Sequence, residues 1–228
     1  MKFFFLIAFA MTTPLAFSQT AFDGQNAELS AIKNEHYIYL DSIYRLENPK
    51  INANIFLGNS LTEQGNWQSY FKDKNILNRG IGGDVTFGVL HRLYEIIRHQ
   101  PENIFIEIGV NDIGTDTPTE VILDNYEKII KTLQNNCPQS KIYIQSILPI
   151  NNKINRLGLP NDFNSKVMLC NYKLKKLASD NNITFINLYP LFTNRKGFLK
   201  SNYTTDGLHL NKNGYQTWVS FIKRQKNL

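Results

Sequence analysis

The sequence predicts an α/β fold whose five-stranded parallel sheet is covered on both faces, and three observations carry that prediction. Short apolar runs alternate with stretches of helical periodicity along 228 residues that are 42% hydrophobic, enough for one core of ordinary size. The helical stretches supply the crossovers through which parallel neighbours connect. Three apolar runs end in turns that deliver polar groups: Gly58-Asn59-Ser60, Gly80-Ile81-Gly82-Gly83-Asp84 and Gly109-Val110-Asn111-Asp112. Ligands of such open sheets lie outside the carboxyl ends of the strands, so Ser60, Gly83 and Asn111 are expected on one rim.

Taken in order, residues 1–18 carry Lys2, an apolar run over 3–9, and Ala16-Phe17-Ser18 as a small-residue cleavage site. This is the tripartite pattern of a secretory signal with Gln19 as the mature start. The run is too short for a membrane span, which takes about 20 apolar residues. Export to the periplasm or outside a bacterial cell is expected, with 19–228 as a single domain. Residues 28–45 fit an amphipathic helix loosely, through Ile32, Leu40, Ile43 and Tyr44, and Asn48-Pro49 ends it. A strand over 52–57 precedes Ser60, and 63–71 is helix-like with Trp67, Tyr70 and Phe71 inward. A short strand at 75–78 leads to a helix over 84–98, whose Val85, Val89, Leu93, Ile96 and Ile97 share one side.

Strand 103–108 follows. Thr117-Pro118-Thr119-Glu120 has the chemistry of a capping box with proline at the first helical position. The helix it opens carries Val121, Ile122, Tyr126, Ile129, Ile130 and Leu133, and it stops before Cys137-Pro138. Strand 141–147 is closed by Leu148-Pro149. The Asn-rich connection 151–164 is longer than most in a compact domain and reads as a polar lip. A helix over 165–180, a strand over 183–188 and a last helix over 213–223, with Tyr215, Trp218, Val219 and Ile222 inward, complete the chain.

The net charge of +6 is spread thinly. Its densest patches, Lys173-Leu174-Lys175-Lys176 and Lys223-Arg224-Gln225-Lys226, fall on helices as solvated outer faces, so no nucleic-acid partner is implied. Cys137 and Cys170 read as two separate thiols. His36, His91, His99 and His209 show no metal-ligand spacing, and neither a metal nor a cofactor is implied.

Ser60, at the end of an apolar strand, is a candidate nucleophile, and a serine hydroxyl needs a base, a group to orient that base, and donors for an oxyanion. Asp206-Gly207-Leu208-His209 offers the first two on one loop. Gly83, through its N–H, and Asn111, through its side-chain amide, would join the Ser60 N–H as a three-donor oxyanion hole. Each motif has a plainer explanation alone: a turn at Asp206-Gly207, a tight strand-to-helix turn at Gly83, a cap at Asn111. Their occurrence together, in this order, favours chemistry.

Four such blocks resemble the SGNH hydrolases, also called GDSL esterases/lipases, over 57–218. The resemblance implies Ser60 as nucleophile, His209 as base, Asp206 as its orienting acid, and Gly83 and Asn111 completing the oxyanion hole. It also implies a three-layer α/β/α sandwich of the flavodoxin-like kind. Asn59 departs from the family's usual Asp and removes a charge while keeping the nucleophile. The Gly-Asn-Ser and Asp-Gly-Leu-His-Leu stretches are similar to those of secreted bacterial sialate-type carbohydrate O-acetylesterases and of platelet-activating-factor acetylhydrolase-like proteins. The implied activity is removal of small acyl groups from carbohydrate esters, with Trp67 and Tyr203 as candidates to support a sugar ring. A lysophospholipase or thioesterase acting on longer chains is the alternative. A silent glycan-binding module is disfavoured because Ser60 and His209 are both present.

Overall fold

The computed structural model describes residues 32–154 and 158–225. The expected signal and its cleavage point lie outside the described residues. The strands are β1 (Asn54–Gly58), β2 (Ile76–Gly80), β3 (Asn103–Glu107), β4 (Lys141–Gln145) and β5 (Thr184–Ile186). All pairings are parallel in the order β2-β1-β3-β4-β5, as expected. The chain runs outward from β1 to β2, then returns past it to β3. The strand order therefore switches direction between β1 and β3, the place where such sheets form a crevice for ligands.

β1 and β3 are buried at every position, as helices on both faces require. One face carries stacked rings, with Phe105 lying 5.0 Å from Phe56 and 4.6 Å from Tyr143. Trp67 and Trp218 extend that cluster. The other face alternates with it and presents Ile55, Leu57, Ile104, Ile106 and Ile144, all fully buried.

The helices are α1 (Glu35–Leu46), α2 (Ser60–Glu63), α3 (Trp67–Tyr70), α4 (Thr86–His91), α5 (Leu93–Ile97), α6 (Val110–Gly114), α7 (Thr119–Asn136), α8 (Phe163–Asp180), α9 (Tyr189–Phe192) and α10 (Lys212–Arg224), with a 3-10 turn at Ser201–Tyr203. Among the described residues no helix is long and apolar enough to cross a membrane. Cys137 and Cys170 are both buried free thiols.

Several elements differ from expectation for identifiable reasons. The helix expected over 63–71 is two short helices, because the turn at Gly65-Asn66 lets the Asn78 amide bond the carbonyls of Thr62, Glu63 and Gly65. The helix expected over 84–98 breaks at Arg92, whose backbone leaves helical geometry while its guanidinium turns inward. Pro118 is the N-cap of α7 rather than its first helical residue, and no side chain caps that end. β4 stops at Gln145 because the Asn171 side chain then takes both backbone groups of Ile147, as Asn164 does for Ile150. Asparagine amides thus stand in for the missing ladder.

Candidate active site

Ser60 is positioned by the abrupt end of β1. A Cβ at Gly58 would collide with the Glu107 carbonyl and the Thr62 hydroxyl, so only glycine lets the chain turn there. Asn59 then caps α2, its Oδ1 accepting the Leu61 N–H at 2.9 Å. The amide of Asn59 thus supplies the cap that a carboxylate would, at a position that is fully buried. Ser60 is the first residue of α2, where a backbone N–H has no partner within the helix.

His209 arrives from the other end of the chain. Its Nε2 lies 3.0 Å from the Ser60 Oγ, and its Nδ1 lies 2.6 Å from the Asp206 Oδ2. The remaining Asp206 oxygen accepts the backbone N–H groups of Leu208 (2.9 Å) and His209 (2.8 Å). Burial pushes the Asp206 carboxyl up, but the His209 hydrogen bond and these two N–H donors outweigh it and hold the group below the usual carboxylate range. The Thr204 hydroxyl accepts the Gly207 N–H at 3.0 Å, and Gly207 has a φ of 96°, so the turn closes on itself.

Past the end of β2, Gly83 is exposed with a φ of 80°, and its surroundings are open. The Asn111 amide donates one hydrogen to the Asp84 carbonyl at 2.8 Å. Its second hydrogen makes no bond among the described residues. Behind this pair lies a buried polar framework. Arg92 donates from Nε to Asp84 (2.9 Å) and from Nη2 to the carbonyls of Gly58 (3.1 Å) and Arg79 (2.9 Å), tying the ends of β1 and β2 together. Burial raises the Asp84 carboxyl to about 7 against the pull of Arg92. Asp112 accepts the backbone N–H of Thr86 at 3.1 Å, which joins the start of α4 to α6.

Hydrogen bonds join Ser60, His209 and Asp206, and Gly83 and Asn111 follow the carboxyl ends of β2 and β3, on the rim where Ser60 follows β1. Trp67 is a correction. It is 1% exposed, its indole N–H donates to the Thr62 carbonyl at 2.7 Å, and its ring stacks on Phe56 at 4.1 Å, so it is core rather than a surface for a sugar. Tyr203 is half-buried against Phe192 and sits next to Thr204 on the His209 loop. Glu63, Asp84, Arg92 and Thr204 escaped the sequence reading. Only Arg92 left a signal, as a charge among the apolar positions Val89, Leu93 and Ile96.

With that geometry established, comparison with known proteins decides the family. The model of the GDSL-like Lipase/Acylhydrolase family matches residues 56–217. The chain belongs to this family. Platelet-activating factor acetylhydrolase IB subunit alpha2 of Rattus norvegicus is 30% identical over 168 residues, covering 71% of this chain and 70% of that protein. A solved structure from Streptococcus pneumoniae is 29% identical with a TM-score of 0.73, covering 96% of this chain and 99% of that one. A GDSL-like lipase from Bacteroides thetaiotaomicron is 23% identical with a TM-score of 0.72, covering 85% and 98% respectively, and shows the shared fold. This GDSL-like hydrolase thus carries its hydroxyl, imidazole and carboxylate within the region that the family model matches.

Proposed function

We propose that this hydrolase is a serine esterase that removes acetyl and similarly small acyl groups from carbohydrate esters. The observation that carries the reading is the unbroken relay from Asp206 Oδ2 through His209 to Ser60 Oγ, with distances of 2.6 and 3.0 Å. Asp206 orients the imidazole so that its Nε2 takes the Ser60 proton as the Oγ attacks the ester carbonyl. The tetrahedral oxyanion is met by the N–H groups of Ser60 and Gly83 and by the Asn111 amide. Such donors contribute about 2.7–4 kcal/mol each in the transition state. Protonated His209 then delivers its proton to the departing alcohol. Water, deprotonated by the same Nε2, releases the acid from Ser60. The relatives named as platelet-activating factor acetylhydrolases support the acetyl group.

The alcohol side is argued from the lip. Asn151 donates its backbone N–H to the Gly207 carbonyl at 2.7 Å, which puts the start of this connection beside the triad loop. Leu159 approaches Gly114 of α6 on the other side. Lys153, Asn161 and Asp162 of the same connection are exposed, and such a border suits a polyol more than an extended alkyl chain. A second reading, an acetylhydrolase acting on a lipid alcohol, is favoured by the names of the relatives alone.

Ser60→Ala assayed on p-nitrophenyl acetate tests the mechanism, and retained turnover in folded protein would reject it. A series of p-nitrophenyl esters from acetyl to decanoyl, run beside acetylated xylan and acetylated sialic acid, tests the substrate. Rates that fall with chain length and rise on acetylated glycans are expected. The opposite order favours the lipid reading.

A further inference from the structure

The chain has a helix ahead of the family match that grips the loop bearing Gly83, and we infer that α1, acting with Glu63, is a strap that sets the oxyanion donor in place. This rests on the esterase reading above. The loop runs from the end of β2 at Gly80 to the start of α4; α1 bonds the strand end before it and the helix after it, and reaches Gly82 between them through Glu63. Before it, the Tyr44 hydroxyl donates to the Gly80 carbonyl at 2.9 Å. After it, the Tyr37 hydroxyl donates to the Gly88 carbonyl at 2.9 Å. Between them the contact goes through a relay: His36 Nε2 lies 3.0 Å from Glu63 Oε1, and Glu63 Oε2 accepts the Gly82 N–H at 2.5 Å.

Glu63 is the last residue of α2, the helix that begins with Ser60. Its carboxylate therefore ties the peptide preceding Gly83 to the same short helix that presents the nucleophile. Fixing the Gly82 N–H fixes the plane of one peptide, and only the dihedrals of Gly82 then separate it from the Gly83 N–H. Glycine leaves those dihedrals free, and the loop's own hold on them is one turn bond, from the Asp84 N–H to the Ile81 carbonyl at 3.1 Å, so the contacts from outside add to a weak internal constraint. Burial pushes the hydroxyls of Tyr37 and Tyr44 up, so both remain donors across the working pH range. The strap is itself anchored: Glu47, just past α1, pairs with Arg79 at 2.7 Å, and the Arg79 guanidinium lies 4.5 Å from the Tyr44 ring centre. His36, Tyr37, Tyr44 and Glu63 are thus positioning residues that touch no substrate.

The test compares Glu63→Ala, Glu63→Gln, His36→Ala and Tyr44→Phe with wild type on p-nitrophenyl acetate. kcat is expressed per site labelled by a fluorophosphonate, and melting is followed by circular dichroism. Displacing a donor by a fraction of an ångström costs less than deleting it, so Glu63→Ala is expected to lose about 10- to 100-fold in kcat with KM within about twofold. Glu63→Gln keeps an acceptor for Gly82 and should recover most of that loss. His36→Ala and Tyr44→Phe should each lose about 3- to 10-fold in kcat, again without a change in KM. A merely structural role lowers the melting temperature and the number of labelled sites but leaves kcat per site unchanged. That result in Glu63→Ala overturns the strap. Should Glu63→Ala not fold, unchanged kcat per site in both His36→Ala and Tyr44→Phe overturns it equally. Ser60→Ala that retains turnover overturns the esterase reading instead, so the two failures are distinguishable.

Discussion

The two loops that flank Ser60 are built on opposite principles. The triad loop is held largely from within: Asp206, Leu208, His209, Thr204 and Gly207 bond one another across six consecutive positions, and the Asn151 N–H on the Gly207 carbonyl is a tie from outside. The oxyanion loop closes one turn of its own, the Asp84 N–H donating to the Ile81 carbonyl at 3.1 Å, and is otherwise held from without by Tyr44, Tyr37, Glu63, Arg92 and Asn111, which come from three other helices and the junction of α4 with α5. A hydrogen-bonding acid near a glycine can organise its own neighbourhood. A run of glycines does so less firmly, because it has neither side chains to bond with nor steric limits on its backbone. The triad loop should therefore respond chiefly to changes in its own residues, and the other more to changes made far away.

Asp206→Asn should give the largest effect. The amide keeps an oxygen for the Leu208 and His209 N–H groups, so the loop survives, but it leaves His209 without the acceptor that sets its tautomer. A loss of about 10⁴-fold in kcat on p-nitrophenyl acetate is expected, with little change in melting temperature. A loss below tenfold would mean that the carboxylate matters to the loop and not to the base. Asn111→Ala comes next, at about 10²- to 10³-fold in kcat, since it removes one oxyanion donor outright. It also releases the Asp84 carbonyl, so a part of its loss should be shared with the Glu63 variants. The double variant Asn111→Ala with Glu63→Ala should then fall short of the product of the single effects.

This division also explains how much could be read in the sequence. The sheet was legible because its strands are short with apolar centres, and the catalytic candidates were legible because Asp206 and His209 lie three residues apart. What could not be read was anything resting on partners remote in sequence. The bond from His36 to Glu63 spans 27 positions, and that from Tyr44 to Gly80 spans 36. Helix 84–98 looked continuous because its apolar stripe is continuous, and only the inward turn of Arg92 towards three carbonyl and carboxylate partners breaks it. Trp67 read both as an inward residue of its helix and, by its nearness to a motif, as a candidate for a sugar ring, and only the first reading holds. Its indole N–H found a buried carbonyl, as Trp usually must when it is core.

Glu107 provides a third case, held by neither principle. It ends β3 beside Gly58, is fully buried, and neither of its carboxylate oxygens has a hydrogen-bond partner among the described residues. Burial raises its carboxyl from 4.5 to about 8. Below pH 4.5 it is protonated both folded and unfolded. Between 4.5 and 8 the unfolded chain releases the proton while the folded chain keeps it, so stability falls as pH rises through that window. Glu107→Gln removes the proton exchange. Its melting temperature relative to wild type should therefore climb from near zero difference at pH 4.5 to several degrees at pH 8. A difference that stays flat across this range would show that Glu107 is solvated or paired in solution.

The smallest effect is the one that separates the two loops most cleanly. Asn34 caps α1, its Oδ1 accepting the N–H of His36 at 2.8 Å and that of Tyr37 at 3.4 Å. Asn34→Ala should cost about 1 kcal/mol, or roughly 2–4 °C in melting temperature for a chain of this size. That cost falls on the end of the helix that carries His36 and Tyr37, so α1 should fray there before the sheet unfolds. If the oxyanion loop depends on α1, kcat in Asn34→Ala will decline with temperature ahead of the loss of circular dichroism, while wild type keeps the two together. The triad loop makes none of its bonds to α1, so labelling of Ser60 by the fluorophosphonate should persist through that interval. Coincident loss of activity and ellipticity would show instead that α1 shares in global stability alone, and the loop that carries Gly83 would then be held by Arg92 and Asn111 without it.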